Sequence, residues 1–130
     1  MARLYRKGDG KELGLPGRKS LEIISGERGA RGLTLRLVEI PVAQPGDALR
    51  AAHHHSAFEE CIYTLSGRGT TFAESGEYAL SPGDALLMPA GEEHVTRNTG
   101  SEPLVLLCFF PVADTAASTS EPGVPSRTQK

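Results

Sequence analysis

The sequence has no tryptophan, two cysteines and seven other aromatic residues, four Phe and three Tyr. Two cysteines are too few for a disulfide framework. Cys61 and Cys108 both lie in apolar runs, so we read them as reduced core thiols of a cytoplasmic protein. Long hydrophobic stretches are also missing. The longest, 104–111, falls far short of the about 20 residues that a membrane helix needs. The opening MARLYRKGDGKELG carries charges where a signal peptide would be apolar, so we expect neither export nor membrane insertion. A basic face is lacking as well. Net charge is −2, and residues 20–113 hold six Arg against twelve acids, which argues against a nucleic-acid partner. There is no helical stripe longer than two turns and no internal repeat. Nor is there a nucleotide or other organic-cofactor motif, so a bound metal would have to carry any hard chemistry.

What is present is a chain of 130 residues, 38% hydrophobic and rich in glycine, enough for one packed domain. Short apolar segments follow one another at Leu33–Ile40, Leu49–His55, Glu60–Ser66, Thr70–Glu74, Glu77–Leu80, Ala85–Met88, His94–Asn98 and Pro103–Phe110. Turn chemistry separates them, at Pro45-Gly46-Asp47, Gly67-Arg68-Gly69, Ser75-Gly76, Ser81-Pro82-Gly83-Asp84 and Ala90-Gly91. The pattern predicts an all-β sandwich or barrel. The turns at Gly67–Gly69 and Ser75-Gly76 are each short enough to predict an antiparallel hairpin. We divide the chain into a basic N-terminal arm with the first strand region (1–19, net +4), a β-barrel domain (20–113) and a C-terminal tail (114–130). The tail, DTAASTSEPGVPSRTQK, has too little to bury and is expected to be disordered.

All four histidines fall in two places: His53, His54 and His55, and His94. Residues two apart on a strand share a face, so His53 and His55 project together and His54 opposes them. Glu60, five residues on, can bring a carboxylate to the pair, and His94 opens a later strand. Three imidazoles and one carboxylate suit Fe, Mn, Ni, Cu or Zn, and an octahedral ion would keep two positions open. Glu59 competes with Glu60 for the carboxylate role.

Two stretches carry a family resemblance. The first runs from Gly46 through His53, His55 and Glu60 to Gly67. The second is Gly83-DALLM-Pro89-Ala90-Gly91-EE-His94-VTR-Asn98. They resemble the two motifs of the cupin superfamily, as found in small single-domain bacterial cupins. The spacing to Gly67 favours Glu60 over Glu59. The resemblance implies a double-stranded β-helix, or jelly-roll barrel, around one divalent transition metal ion held by His53, His55, Glu60 and His94. It further implies a metal-dependent enzyme acting on a small organic substrate. Dioxygenase chemistry leads, ahead of isomerase, lyase or cyclase chemistry and of a non-catalytic binding module. Cupins commonly dimerise, and we expect a homodimer using Leu33–Ile40 and the segment before it.

The other candidates receive plainer readings. His54 is an exposed strand residue, and Cys61 a core thiol rather than a nucleophile. Asn98 bridges a turn. Arg36 is a weak candidate for an anionic substrate, and no catalytic residue is assigned. The barrel interior is expected to be mostly apolar, from Leu35, Leu37, Ile62, Leu87 and Met88.

Overall fold

The computed structural model describes residues 1–116 and 119–121. Among these, the strands are β1 (Lys11–Leu13), β2 (Lys19–Ile24), β3 (Thr34–Ile40), β4 (His54–His55), β5 (Glu60–Ser66), β6 (Gly69–Ala73), β7 (Gly76–Leu80), β8 (Ala85–Met88), β9 (His94–Asn98), β10 (Leu104–Phe110) and β11 (Thr119–Ser120). The predicted strand over Leu49–His55 is shorter than expected. Only His54 and His55 are in a strand, and His53 makes a single bridge to His94. The strands form a six-stranded sheet in the order β1-β2-β3-β10-β5-β8, a three-stranded sheet β7-β6-β9 and a two-stranded ribbon β11-β4. Every pairing is antiparallel. This is the all-β jelly roll expected, with the two larger sheets facing each other.

Alternation places the core. On β10, Leu104, Leu106, Cys108 and Phe110 are buried, and they meet Val38, Ile40 and Ile62 from the neighbouring strands together with Phe58 and Leu80. Ile62 and Met88 are buried as expected, but Leu35, Leu37 and Leu87 are not interior. On β3 the inward set is Thr34, Arg36, Val38 and Ile40, so the two leucines between them take the outer face. There the register aligns Leu37, Leu107 and Tyr63 in one row and Leu35, Phe109, Cys61 and Leu87 in the next. Leu87 is 63% exposed, and Phe109 and Tyr63 are exposed too. The large sheet is therefore apolar on both faces.

The Ser75-Gly76 hairpin forms as predicted between β6 and β7. The Gly67–Gly69 turn does not make a hairpin. It carries the chain from β5 in the large sheet to β6 in the small one. A Cβ at Gly67, whose φ is +77°, would sit 2.3 Å from the Pro103 carbonyl oxygen, so this crossing requires glycine for space as well as for backbone angle.

The expectation of disorder from residue 114 does not hold for the described part of that segment; 117–118 and 122–130 lie outside the described residues. Thr119 and Ser120 pair with His55 and His54, and Thr115 and Glu121 are buried. Composition misled because this segment docks through polar contacts rather than apolar burial. Arg36 Nη2 donates to Thr115 Oγ1 (2.6 Å), and Arg18 makes a two-pronged ion pair with Glu121. Arg18, assigned to the solvated arm, thus turns inward. A chain stopped after Asp114 loses these partners. A loss of only about 1 kcal/mol lowers the Tm of a domain this small by about 4 °C. We expect at least that drop in calorimetry, whereas an unchanged midpoint would mean the segment contributes nothing.

Candidate metal centre

Backbone pairing brings the two motifs together. His53 N–H donates to the His94 carbonyl and His94 N–H to that of His53, both at 2.8 Å, and Gly91 N–H donates to the His55 carbonyl at 2.7 Å. Glu60 opens β5, where it is paired with Met88 of β8. As a result His53, His55, Glu60 and His94 each offer one ligand atom, all within 4.8 Å of one another. Glu60 is only 5% exposed, and His55 and His94 are buried with it, whereas Glu59 is exposed. His54 does not join the cluster. Its strand position pairs with Ser120.

The hydrogen bonds decide which nitrogens carry protons. His94 Nδ1 lies 2.9 Å from the Glu92 carbonyl oxygen, which can only accept, so Nδ1 holds the proton. Thr119 Oγ1 donates its single proton to the Thr115 carbonyl (2.6 Å), and therefore accepts from His55 Nδ1 at 2.7 Å. A ring that carries only this Nδ1 proton presents a lone pair at Nε2. Yet the two Nε2 atoms lie 3.2 Å (His94) and 3.1 Å (His55) from one carboxylate oxygen, Glu60 Oε1. Three such lone pairs converging in a dry interior would repel unless a cation lay among them, either a metal ion or a proton on a ring. Metal–ligand bonds of about 2.1 Å place neighbouring ligand atoms about 3.0–3.4 Å apart, between right-angle and tetrahedral arrangements. The observed spacing fits a metal ion.

The titration behaviour has the same origin. Burial raises the pKa of Glu60, but contacts with the His55 and His94 rings outweigh it and hold the carboxyl well below its ordinary range. Burial, reinforced by the His94 charge, lowers His53 to about 2, so this ring is neutral and ready to ligate. Burial also lowers His94, but Glu60 more than compensates, and the net shift is upward. Phe58 stacks on His55 with centroids 4.9 Å apart, and Phe110 meets the same ring edge-on at 5.3 Å. These contacts fix the ring from the apolar side.

The cluster opens on a cavity of about 630 Å³. Its wall is less apolar than the sequence suggested. Val38, Ile40, Ile62 and Leu106 line it, but so do Arg18, Arg36 and Arg50. Arg36 is held by Glu22 (3.1 Å) and lies over the Phe110 ring. Arg50 is among the arginines that the sequence offers for an anionic substrate, with Arg36, Arg68 and Arg97, whereas Arg18 is not. For Arg18 the signal was there: the polar residues Arg18, Ser20 and Glu22 alternate with apolar Leu21 and Ile23, so β2 turns its polar side inward. Cys108 was likewise read only as core. It lines the cavity, and burial, aided by the Glu60 charge, pushes its thiol pKa well up and keeps it protonated. Cys61 lies in the outer row and is half-buried. Asn98 performs the expected turn role, with Nδ2 donating to the Glu102 and Ile40 carbonyls and Oδ1 accepting from Gly100 N–H.

Thr119 thus reaches the candidate ligands from a segment expected to be inert. Losing an outer partner of a ligating histidine costs about 10–100-fold in metal affinity. Thr119→Val should show that loss in a chelator competition titration, with an unchanged far-UV spectrum, and Thr119→Ser should not. Wild-type affinity in Thr119→Val would mean that this contact does not orient His55.

Residues 40–110 match the family of the Cupin domain. An uncharacterized protein of Methanocaldococcus jannaschii is 34% identical over 56 residues, covering 43% of this chain and 45% of that protein. Among solved structures, the Lactobacillus farciminis oxalate decarboxylase in its formate complex superposes with a TM-score of 0.72 at 25% identity. That match covers 88% of this chain, which spans about a third (34%) of the decarboxylase. KdgF from Halomonas sp. superposes with a TM-score of 0.68 at 20% identity, over 88% of this chain and 97% of that one. With its two histidine-bearing motifs meeting at one buried carboxylate and the family match running over most of the barrel, the chain belongs to the cupin family.

Proposed function

We propose that this chain is a mononuclear metalloenzyme for a small organic substrate, with His53, His55, Glu60 and His94 holding one divalent transition metal ion and dioxygenase chemistry as the leading reaction. The observation that carries this reading is the convergence of four ligand atoms, all within 4.8 Å of one another, at the wall of a cavity of about 630 Å³. A metal bound there would supply Lewis-acid polarisation of a substrate oxygen and, as iron, activation of dioxygen. The protein supplies the rest. Glu92 and Thr119 hold two of the rings by their outer nitrogens. Ile62, Leu106 and Val38 keep that wall of the cavity dry. Four protein ligands would leave an octahedral ion open on the cavity side for substrate.

A second reading is lyase, isomerase or cyclase chemistry on an anionic substrate. The three guanidinium groups in the cavity wall favour it, as does structural similarity to an oxalate decarboxylase. Oxygen uptake separates the two. The Fe(II)-loaded protein, assayed over diketones, catechols and flavonols, should consume dioxygen with at least one of them. Turnover of a carboxylate substrate by the Mn or Zn form without dioxygen would move the assignment to the second reading. Saturable binding with no turnover in any metal form would leave a binding module.

We further propose a homodimer in the cytoplasm. Both cysteines are unpaired thiols, which fits a reducing compartment. The apolar rows on the outer face of the large sheet, which include β3 as anticipated, are the surface that a second copy would cover. Among the described residues no helix is long and apolar enough to cross a membrane. Sedimentation should give a dimer for the wild type and a monomer for Phe109→Glu. A monomeric wild type would remove this proposal.

A further inference from the structure

Glu121 is a carboxylate from the chain's own C-terminal segment, and it sits inside the cavity beside the candidate metal ligands. Its Oε1 accepts from Arg18 Nη2 at 2.8 Å and its Oε2 from Arg18 Nη1 at 2.9 Å, a parallel two-pronged pair. The side chains are 9% and 4% exposed. Glu121 Oε1 also lies 3.7 Å from His53 Nδ1, a buried nitrogen with no hydrogen-bond partner among the described residues.

A second guanidinium stands nearby. Arg50 lines the same cavity, and among the described residues its side chain has one hydrogen-bond partner, the Thr96 carbonyl at 2.8 Å. Burial lowers its pKa to about 10, with the Arg18 charge adding to the effect and the Glu121 charge opposing it. Two partly buried cations lining one cavity, beside a metal-ligating cluster that itself carries positive charge once loaded, are stabilised by an anion in that cavity. Here that anion is supplied in cis.

The element that delivers it is weakly held. Among the described residues β11 is two residues long and pairs with the two residues of β4. Strand ribbons of this size have little stability of their own. Buried, two-pronged recognition of a carboxylate by Arg18, with the Arg50 guanidinium in the same cavity, is thus combined with a short element that can let the carboxylate go.

We propose that Arg18 and Arg50 form a carboxylate-binding subsite beside the candidate metal centre, that Glu121 fills it in the resting protein, and that a small carboxylate ligand enters by displacing Glu121 and releasing β11. The subsite sets the substrate class as a small organic carboxylate. It rests on the proposed function for its setting, but not on any reaction or metal identity. A purely structural ion pair would stabilise the fold and would have no effect on ligand affinity, and this difference makes the two separable.

The probe is malonate, titrated calorimetrically into full-length, tag-free, metal-loaded protein, with malonamide as the uncharged control. Glu121→Gln removes the competing charge and keeps the shape, so malonate should bind at least tenfold more tightly than to the wild type, and malonamide should not. Adding Arg18→Met to Glu121→Gln should abolish the gain. Equal affinity in wild type and Glu121→Gln, or a gain that survives the loss of Arg18, would overturn the subsite. A second measurement needs no variant. Saturating malonate should speed backbone amide exchange over 119–121 severalfold in the wild type, and unchanged exchange there would overturn the displacement. Tightened malonate binding together with absent oxygen uptake would leave the subsite standing and remove only the dioxygenase reading.

Discussion

The Glu60 carboxylate is the constraint on which the rest of the structure depends. An isolated carboxylate in a dry interior costs several kcal/mol. Glu60 is nevertheless placed at the start of β5, inside the barrel, facing two imidazole nitrogens at 3.1 and 3.2 Å. The arrangement is satisfied by a shared cation, and the backbone is built to present it. The reciprocal His53–His94 bridge joins the two motifs, and the Gly91–His55 bond fixes the loop between them. Because the ligands come from β4, β5 and β9, an ion held among them would tie the large sheet, the small sheet and the ribbon together. Metal affinity and folding stability are then coupled.

The C-terminal segment completes this design from the open side. Thr115 meets Arg36, Thr119 orients His55 and Glu121 holds Arg18, each through a polar contact on the cavity side. The segment adds almost no apolar burial. Its worth lies in satisfying groups that would otherwise be buried and unpaired. The cavity consequently has two kinds of wall, an apolar one from Val38, Ile62 and Leu106 and a charged one from Arg18, Arg36, Arg50 and Glu121.

Much of this was legible in the sequence. Eight of the eleven strands among the described residues follow from apolar segments punctuated by glycine and proline, the His-x-His parity pairs His53 with His55, and the family resemblance adds Glu60 and His94, the four side chains that the fold brings together. What escaped has physical reasons. Periodicity gives two faces but not which one is inside, and an outer face as apolar as that of Leu35, Leu37 and Phe109 inverts the guess. The Gly67–Gly69 turn looks like a hairpin because local chemistry cannot reveal that a sheet boundary passes through it. Arg18 and Glu121 are 103 positions apart, and each looks solvated alone. Their partnership exists only once the barrel has closed. A polar tail that docks by hydrogen bonds has no compositional signature, so Thr119 could be found only from the structure.

The most direct measurement of the central claim is the metal stoichiometry of tag-free, chelator-stripped protein titrated with Zn(II), with the melting temperature read alongside. The account predicts one tightly bound ion per chain and a rise in Tm for the wild type and for Glu59→Gln, and neither for Glu60→Gln. Equal binding by wild type and Glu60→Gln, or a wild type that takes up no ion, would contradict it.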